Sequence, residues 1–355
     1  MELLILDKSF SSVATLDVFE SFIWTDRYCG YGDFEIYTPA NTKMKESLKE
    51  EYYIYIKESE HLMIIEDVEI DTDVEDGARM KVTGRSLESI LERRIVWNQT
   101  TISGNFQNGI KKLLTENIIS PSDESRKISN FVFKESTDTA ITSLEVEAQY
   151  FGENLYDTIV DLCNSKQVGY KILLDGSNFV FSLYVGTDRS YNQVKNPYVI
   201  FSPNFDNLLN SNYVESIKTL KNVTLVAGEG EGSERKTVSV SATENYGTGL
   251  SRREIFTDAK SVTKNVNGQD ITDEEYMNQL KQKGEETLSK NKKTISFEGE
   301  IDSNSTTYTY DEDYFIGDIV QVENEFGYES RCRITEYVRS QSDSGIETYP
   351  TYENV

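Results

Sequence analysis

The chain contains one histidine, His61, and this limits the chemistry that its side chains can perform. A Ser–His–Asp triad needs its histidine in a deep pocket. His61 instead follows the polar segment Glu58–Glu60 between two apolar runs, which predicts an exposed hairpin turn. One histidine also excludes a histidine-based metal cluster and the HExxH motif. We therefore predict a surface histidine without a catalytic role.

Two segments resemble known ligand loops, and each departs from the pattern that it resembles. Asp71–Gly77 suggests a calcium loop, but its sixth position is Asp76 rather than glycine and its twelfth is Val82 rather than glutamate. Gly228–Gly232 suggests a phosphate loop, but its glutamates would repel phosphate and a strand follows it. We predict an acidic hairpin turn for the first segment and a mobile hairpin tip for the second.

Paired carboxylates such as Asp311 and Asp313 have the chemistry that a glycosidase needs. The chain has 61 acidic residues, so such pairs arise by coincidence, and we predict a solvated turn for Asp311–Asp313. Seven tyrosines after residue 300 have rings that stack on sugars or, as is ordinary for strands, pack within a sheet. These are Tyr308, Tyr310, Tyr314, Tyr328, Tyr337, Tyr349 and Tyr352.

The three cysteines, Cys29, Cys163 and Cys332, are far apart and form no CxxC pair. An odd number of cysteines argues against a disulfide framework, and the spacing matches no zinc site. We predict that all three are buried as small hydrophobic residues. The sequence thus predicts no catalytic, cofactor-binding or metal-binding residues and no cofactor.

The composition indicates a chain that is folded and acidic. Its 355 residues correspond to two or three domains, and its 22 tyrosines argue against disorder. The net charge of -25 disfavours binding to nucleic acid and to anionic membranes. Two explanations of that charge stay open: solubility alone, or a surface that repels DNA or attracts a basic partner. The sequence shows neither a cleaved export signal nor an apolar stretch long enough to span a membrane.

Residues 1–97 are predicted to form an antiparallel β unit. Phe34 and Ile36 alternate with more polar residues within 33–38, which is the period of a strand with one buried face. Apolar runs predict two hairpins, one pairing 52–56 with 62–66 and one pairing 67–71 with 78–83 across Glu75–Gly77. Short strands at this spacing are typical of a barrel or a sandwich.

The rest of the chain is predicted to pass from an α+β region to a second β region. Helical spacing predicts helices over 107–119 and 154–167, with Gly169 as the stop, before strands at 170–174 and 178–184. A capping box at Thr272–Glu275 begins a helix that continues to about Lys290. The strands predicted around that helix lie at 199–202, 212–220, 223–228, 235–241, 294–301, 319–323 and 331–339.

Several segments follow one another in a distinctive order along the chain. They are Phe19–Thr25, Gly32–Ile36, Thr83–Leu87, Ile90–Arg94, Leu155–Cys163, Gly169–Lys171, Gly186–Ser190, Val199–Ser202, Asn207–Leu208, Tyr310–Tyr314 and Gly317–Val320. This order resembles the tail-hub, or baseplate-hub, family of long-tailed bacteriophages. That family includes the N-terminal hub region of siphophage tail-associated lysins and of prophage tail endopeptidases. The resemblance spans nearly the whole chain.

The resemblance implies an α+β, β-rich fold with two β-barrel domains that are similar to tail-tube domains. We expect the first barrel at 1–97, the α+β domain at 98–196, and the second barrel at 197–345 with an inserted helix at 273–290. A C-terminal tail at 346–355 and a small C-terminal lobe complete the expected architecture.

The function that the resemblance implies is structural and non-enzymatic. We expect a homotrimeric hub at the virion tail tip, made in the bacterial host cytoplasm, that closes or extends the distal end of the tail tube. Its expected partners are the distal tail or tail-tube protein and tip or receptor-binding proteins. DNA would pass through without binding, helped by an acidic inner wall. The alternatives are a carbohydrate-binding surface module and, less favoured by the residues, a carboxylate-based cell-wall hydrolase.

Overall fold

Strands dominate both ends of the chain, and most helices lie between them. The structure, a computed structural model, describes residues 1–73, 77–208, 210–242, 248–266, 268–300, 307–324, 326–327 and 329–355.

Residues 1–97 form the antiparallel unit that the alternating pattern predicts. Its elements are β1 (Leu3–Leu6), β2 (Ser12–Leu16), β3 (Ser21–Arg27), β4 (Asp33–Pro39), α1 (Thr42–Ser47), β5 (Tyr53–Ile56), β6 (Leu62–Asp73), β7 (Gly77–Ser86) and a 3-10 helix (Leu87–Arg93). Both predicted hairpins form, but 62–66 and 67–71 join into the single strand β6, with a bulge between Ile65 and Asp67. Val74, Glu75 and Asp76 of the second predicted turn lie outside the described residues.

The α+β region follows, with two small sheets and three α-helices. Its elements are β8 (Thr100–Asn105), α2 (Phe106–Leu114), a π-helix (Thr115–Ile119), a 3-10 helix (Glu124–Arg126), β9 (Phe131–Lys134), α3 (Thr139–Thr142), β10 (Glu145–Tyr150), α4 (Leu155–Ser165), β11 (Gly169–Asp175) and β12 (Asn178–Tyr184). β8 pairs with β10, and β12 lies between β9 and β11.

The end of α4 differs from the prediction in one detail. Gln167, at φ 58°, is the residue that leaves the helix in the left-handed region. Gly169 already belongs to β11. A Cβ at Gly169 would lie 2.4 Å from the Tyr28 ring, so glycine is needed there for a close approach to the first region.

The third region is mostly strands around one long helix. Its elements are β13 (Ile200–Phe201), β14 (Asn210–Ser216), β15 (Val223–Ala227), β16 (Thr237–Ser241), β17 (Glu254–Asp258), β18 (Asn265–Val266), β19 (Gln269–Asp270), α5 (Asp273–Ser289), β20 (Thr294–Glu300), β21 (Ile319–Glu323), β22 (Glu329–Ser342) and β23 (Gly345–Asn354). Short 3-10 helices lie at Pro203–Phe205, Gly232–Glu234 and Gly249–Ser251. The predicted capping box is present, with Thr272 and Glu275 each bonding the other's main-chain N–H.

One large sheet joins the first and third regions. Its strand order is β14-β20-β23-β22-β3-β4-β7-β6-β5-β1-β2, and β21 pairs with β22 and β13. The joint is the antiparallel pair of β3 with β22, from Arg27 opposite Glu336 to Phe22 opposite Gln341. Pairing among the described strands leaves this path open between β14 and β2. The described strands therefore confirm a β-rich fold but do not form the closed barrels that the resemblance implies.

The segment 346–355, expected as a C-terminal tail, is instead largely a strand of the large sheet. β23 lies between β22 and β20, and Tyr352 on β23 is fully buried. The final strands therefore belong to the large sheet. This strand was not predicted because it contains Pro350, and proline argues against a central strand.

The cores show how the α+β region is attached. Met63 and Ile65 of β6 pack into the core enclosed by the first region. Leu62 and Ile64, on the opposite face, pack into the core of the α+β region. The start of β6 is thus buried on both faces, so the α+β region rests on the outer face of the first sheet.

Candidate functional site

A buried ion pair lies where the first and third regions meet. Arg339 Nη1 of β22 is 2.6 Å from Asp26 Oδ2 of β3, and both side chains are 3% exposed. Asp26 also accepts hydrogen bonds from Trp24 Nε1 at 2.9 Å and from Ser59 Oγ at 2.8 Å. A buried charge is tolerated only when it is paired and hydrogen-bonded, and Asp26 meets both conditions. We call Asp26, Ser59, His61, Glu88 and Arg339 the buried junction.

The prediction for His61 is wrong, because this side chain is buried rather than at the surface. It is 6% exposed, and its Nδ1 lies 3.4 Å from Glu88 Oε1. The distance is long for a hydrogen bond, so the contact is an ion pair when the imidazole is protonated. The turn that carries His61 is covered by other regions, as the contact of Lys171 Nζ with Glu60 Oε1 at 2.6 Å illustrates. The hairpin pattern in the sequence predicts the turn, but it does not predict which other regions pack against that turn.

Glu88 extends the junction into the α+β region. Its Oε1 accepts a hydrogen bond from the main-chain N–H of Ile172 on β11 at 2.7 Å. Its other oxygen accepts a hydrogen bond from Ser86 Oγ. The buried junction therefore connects β3, the β5–β6 turn, the 3-10 helix, β11 and β22. Three regions of the chain share one network of charges.

The junction sets the protonation state of His61. Burial lowers the pKa of His61, but the negative charges of Glu88, Asp26 and Glu60 outweigh burial and raise the pKa to about 9. The imidazole is therefore positively charged at neutral pH and stabilises Glu88. The network has no geometry for nucleophilic catalysis, because Ser86 Oγ donates to Glu88 rather than to His61. Its chemistry is that of a fixed structural connection.

A second group of contacts surrounds the same joint at its edge. Arg27 Nε lies 2.6 Å from Glu336 Oε1 across the β3–β22 pair, and Arg27 Nη1 lies 2.6 Å from Asp33 Oδ2. A Cβ at Gly186 would lie 1.9 Å from the main-chain oxygen of Gly317. The chain after β12 and the chain before β21 therefore touch backbone to backbone, which requires glycine.

A third contact joins α5 to the α+β region. Lys283 Nζ of α5 lies 2.8 Å from Glu153 Oε2, and Tyr150 Oη donates a hydrogen bond to Glu286. Burial and the charge of Glu286 raise the pKa of Tyr150 well above its usual value. The phenol is thus a permanent donor that holds α5 against β10.

Comparison with known proteins agrees with this architecture. The family model described as Siphovirus ReqiPepy6 Gp37-like protein matches residues 2–351. The chain belongs to this family. A comparison with curated protein sequences finds no match. The resemblance to bacteriophage tail proteins in the sequence analysis is thereby confirmed.

The fold of this family member is that of solved prophage tail proteins. A prophage MuSo2 43 kDa tail protein from Shewanella oneidensis has a TM-score of 0.59 at 11% identity, covering 99% of this chain and 98% of its own. A tail protein from Neisseria meningitidis MC58 has a TM-score of 0.57 at 13% identity, covering 99% and 96%. Prophage tail protein gp18 from Listeria monocytogenes EGD-e has a TM-score of 0.55 at 13% identity, covering 100% and 95%.

The other candidate segments of this Gp37-like chain are placed as follows. Asp311–Asp313 is an exposed turn, as predicted. Gly228–Gly232 connects β15 to β16, as a hairpin tip should, and Glu229 is held because its Oε1 accepts from Lys264 N at 2.7 Å. The predicted calcium loop falls partly outside the described residues. No group of three potential metal-ligating side chains occurs in the part of the chain that is described.

The late tyrosines pack within the protein, as ordinary sheet residues do. Tyr314 and Tyr352 are buried beside Phe201, and Tyr310 stacks on Tyr337 with ring centres 3.7 Å apart. Tyr308 contacts Phe201 and Tyr349 is half-buried, whereas Tyr328 lies outside the described residues.

The cysteines agree largely with the prediction of buried thiols. Cys163 and Cys332 are buried and Cys29 is half-buried, and all three are free. Among the described helices of this family member, none is long and apolar enough to cross a membrane.

One cleft has features that the sequence did not reveal. It has a volume of about 370 Å³, and its lining includes Asp161 of α4, Glu286 of α5 and Glu153, which precedes α4. Residues of β17 complete the lining. Burial raises the pKa of Asp161 to about 6, although Lys290 Nζ lies 2.6 Å from its Oδ2. Helical spacing predicted the buried face of α4 but carried no signal for a carboxylate on its rim.

Proposed function

We propose that this chain is a structural subunit of a phage or prophage tail tip. In this proposal three copies form a hub that closes or extends the distal end of the tail tube. The hub anchors tip or receptor-binding proteins, contacts the distal tail or tail-tube protein, and leaves a channel through which DNA passes unbound. The protein is not an enzyme and is made in the cytoplasm of the bacterial host.

The observation that supports this most is the extent of the likeness. The family match covers residues 2–351, and the three tail-protein folds cover 99% to 100% of the chain. No large segment is left over for a separate activity within these residues. The proposal further includes two barrel-like domains, one at 1–97 and one that begins at 197 and includes the final strand β23.

The buried junction also favours a structural role. Asp26 and Arg339 pair with each other, and Asp26 also accepts a hydrogen bond from Ser59. Glu88 accepts a hydrogen bond from the main-chain N–H of Ile172, so the paired charges lie between three regions. Buried ion pairs of this kind penalise any domain movement that separates the partners.

The two alternatives have weaker support. A carbohydrate-binding surface would need a flat row of exposed rings, whereas the described late tyrosines are buried or half-buried. A hydrolase would need two carboxylates free to act as acid and base. In the cleft between α4 and α5, Asp161 pairs with Lys290 and Glu153 pairs with Lys283.

The proposal is tested first by the mass of the purified chain in solution. Light scattering at several protein concentrations is expected to give three times the 40.6 kDa of one chain. A mass that rises with concentration toward this value also supports the trimer. A mass of one chain at every concentration would remove the homotrimer from the proposal and favour a binding module.

A further inference from the structure

A basic surface patch stands out on this acidic chain. Nine of the 13 arginines pair with a carboxylate of the described residues, whereas Arg94 and Arg126 do not. Main-chain oxygens hold both instead. Arg94 Nε donates to Arg126 O at 2.8 Å, and Arg126 Nη2 donates to Ile95 O at 2.8 Å. These bonds fix the two guanidinium groups without neutralising them.

The neighbouring charges that act on Arg94 of this patch are positive. Burial lowers the pKa of Arg94, and the neighbouring charges of Arg126 and Arg93 lower it further. Arg93 is compensated, because its Nη1 lies 3.1 Å from Glu51 Oε2. The positive charge of Arg126 helps to lower the pKa of Asp123, so a carboxylate lies in its vicinity. Neither Arg94 nor Arg126, however, has a carboxylate of the described residues within ion-pair distance, and the two positive charges lie side by side. Such an arrangement costs free energy in the isolated subunit, and an incoming carboxylate would reverse that cost.

Exposed apolar side chains adjoin these charges. Trp97 is 54% exposed, and the Arg126 guanidinium carbon lies 5.0 Å from the centre of the indole ring. Ile95 is also exposed, as is Phe151 on the neighbouring segment, where Gly152 N donates to Val96 O at 2.8 Å. Arginine and tryptophan fixed in place are the residues most enriched at binding hot spots. Their fixed positions reduce the entropy lost on binding.

We infer that the patch of Arg94, Ile95, Trp97 and Arg126 is the surface through which one copy of this chain binds the carboxylates of a second copy. The inference rests on the homotrimer in the proposed function and names its contact. Copies that each carry a net charge of -25 repel one another, and a surface of reversed charge reduces that repulsion at the contact. The 61 acidic residues of the neighbouring copy supply the complement. A contact between unlike surfaces is the kind that generates a ring.

The test compares association of the wild type with that of Arg94→Gln/Arg126→Gln by sedimentation velocity over a range of concentrations. The double variant is expected to raise the dissociation constant of the oligomer by at least about 10-fold. Arg253→Gln is the matched control, because Arg253 also lacks a described carboxylate partner and donates to Ile217 O at 3.1 Å. The control is expected to change the dissociation constant less than about twofold.

A second variant and a salt series guard against misfolding of the double variant. Trp97→Ser leaves both arginine anchors in place and is expected to weaken association as well. Raising NaCl from about 50 mM to about 500 mM screens both the contact and the general repulsion between the acidic copies. Association of the wild type should therefore weaken relative to that of the double variant, which keeps the repulsion but lacks the contact.

The outcomes separate this inference from the proposed function. A wild-type trimer that all of these variants leave intact would overturn the contact while the hub proposal stands. A wild type that is monomeric throughout would overturn both the contact and the homotrimer. Binding of inorganic polyphosphate through Arg94 and Arg126, with an unchanged oligomer mass, would assign the patch to a phosphate ligand and overturn the subunit contact.

Discussion

The buried junction and the open face of the first sheet carry the same kinds of ion pair in opposite surroundings. At the junction, the Asp26 and Arg339 side chains are 3% exposed and each has further partners. On the open face, Arg79 Nε lies 3.4 Å from Glu20 Oε1, with side chains 53% and 42% exposed. Water screens the second pair but not the first. The comparison shows that burial, rather than the number of ion pairs, determines which pairs hold the regions of the chain in a fixed arrangement.

Removing one charge of the junction should have the largest effect on stability. Asp26→Ala leaves Arg339 buried without its partner, and removes an acceptor from Trp24 and Ser59. We expect a loss of about 3–5 kcal/mol in the free energy of unfolding, measured by chemical denaturation. Asp26→Asn is the control, because it keeps an acceptor for Trp24 and Ser59 and removes only the charge. A loss below about 1 kcal/mol for Asp26→Ala would place the junction in the same class as the surface pairs.

The junction should also make the free energy of unfolding depend on pH, through His61. We expect this effect to be smaller than that of Asp26→Ala and larger than that of a surface substitution. The pKa of His61 is about 9 in the folded chain and about 6.5 in the unfolded chain. Its stabilising contribution is therefore complete below pH of about 6.5 and is lost as pH rises toward about 9. The slope is at most about 1.4 kcal/mol per pH unit. Denaturation midpoints between about pH 6.5 and 8 measure it before the thiols titrate.

His61→Gln provides the control for that pH dependence. His61 is the one histidine of the chain, so the variant contains no other imidazole that titrates in this interval. We expect a nearly flat stability profile for the variant. An unchanged slope would show that some other group causes the dependence and that His61 is neutral in the folded chain.

The surface pair should show the smallest effect. Arg79→Ala removes a charge whose side chain is 53% exposed, and we expect a loss below about 1 kcal/mol that shrinks further in high salt. Thermal unfolding at low and high salt measures this. If Arg79→Ala cost as much as Asp26→Ala, exposure would not be the property that separates the two groups of charges.

The sequence predicts those parts of the fold whose pattern is contained in a few consecutive residues, and it fails where the structure depends on pairing between distant residues. The capping box of α5 and the alternation of β4 were visible because both are local patterns. β8 and β10 were not predicted, although Val146, Ala148 and Tyr150 of β10 alternate with polar residues. Their pairing joins residues 40 to 50 positions apart, which no local pattern reports. The pairing of β3 with β22 is still more distant, and no local pattern reports it.

The residues of the buried junction show the same difference between local patterns and long-range contacts. The sequence identified His61 as the one group with distinctive chemistry but predicted the wrong environment for it. Asp26, Glu88 and Arg339 resemble any other charged residues of a strand or a helix start until tertiary contacts bury them. Their significance arises from packing, which composition and spacing do not encode.

The joint between β3 and β22 also determines the order in which the protein can be completed. Asp26 and Arg339 are 313 residues apart, so the free edge of β3 stays unpaired while the ribosome makes the intervening chain. At about 5–20 residues per second this takes roughly 15 to 60 seconds. During that time the nascent chain presents a strand edge next to Phe22 and Trp24, which favours aggregation unless a chaperone covers it. In every copy of this chain, the edge of β3 therefore stays exposed to aggregation until β22 has been synthesised and pairs with it.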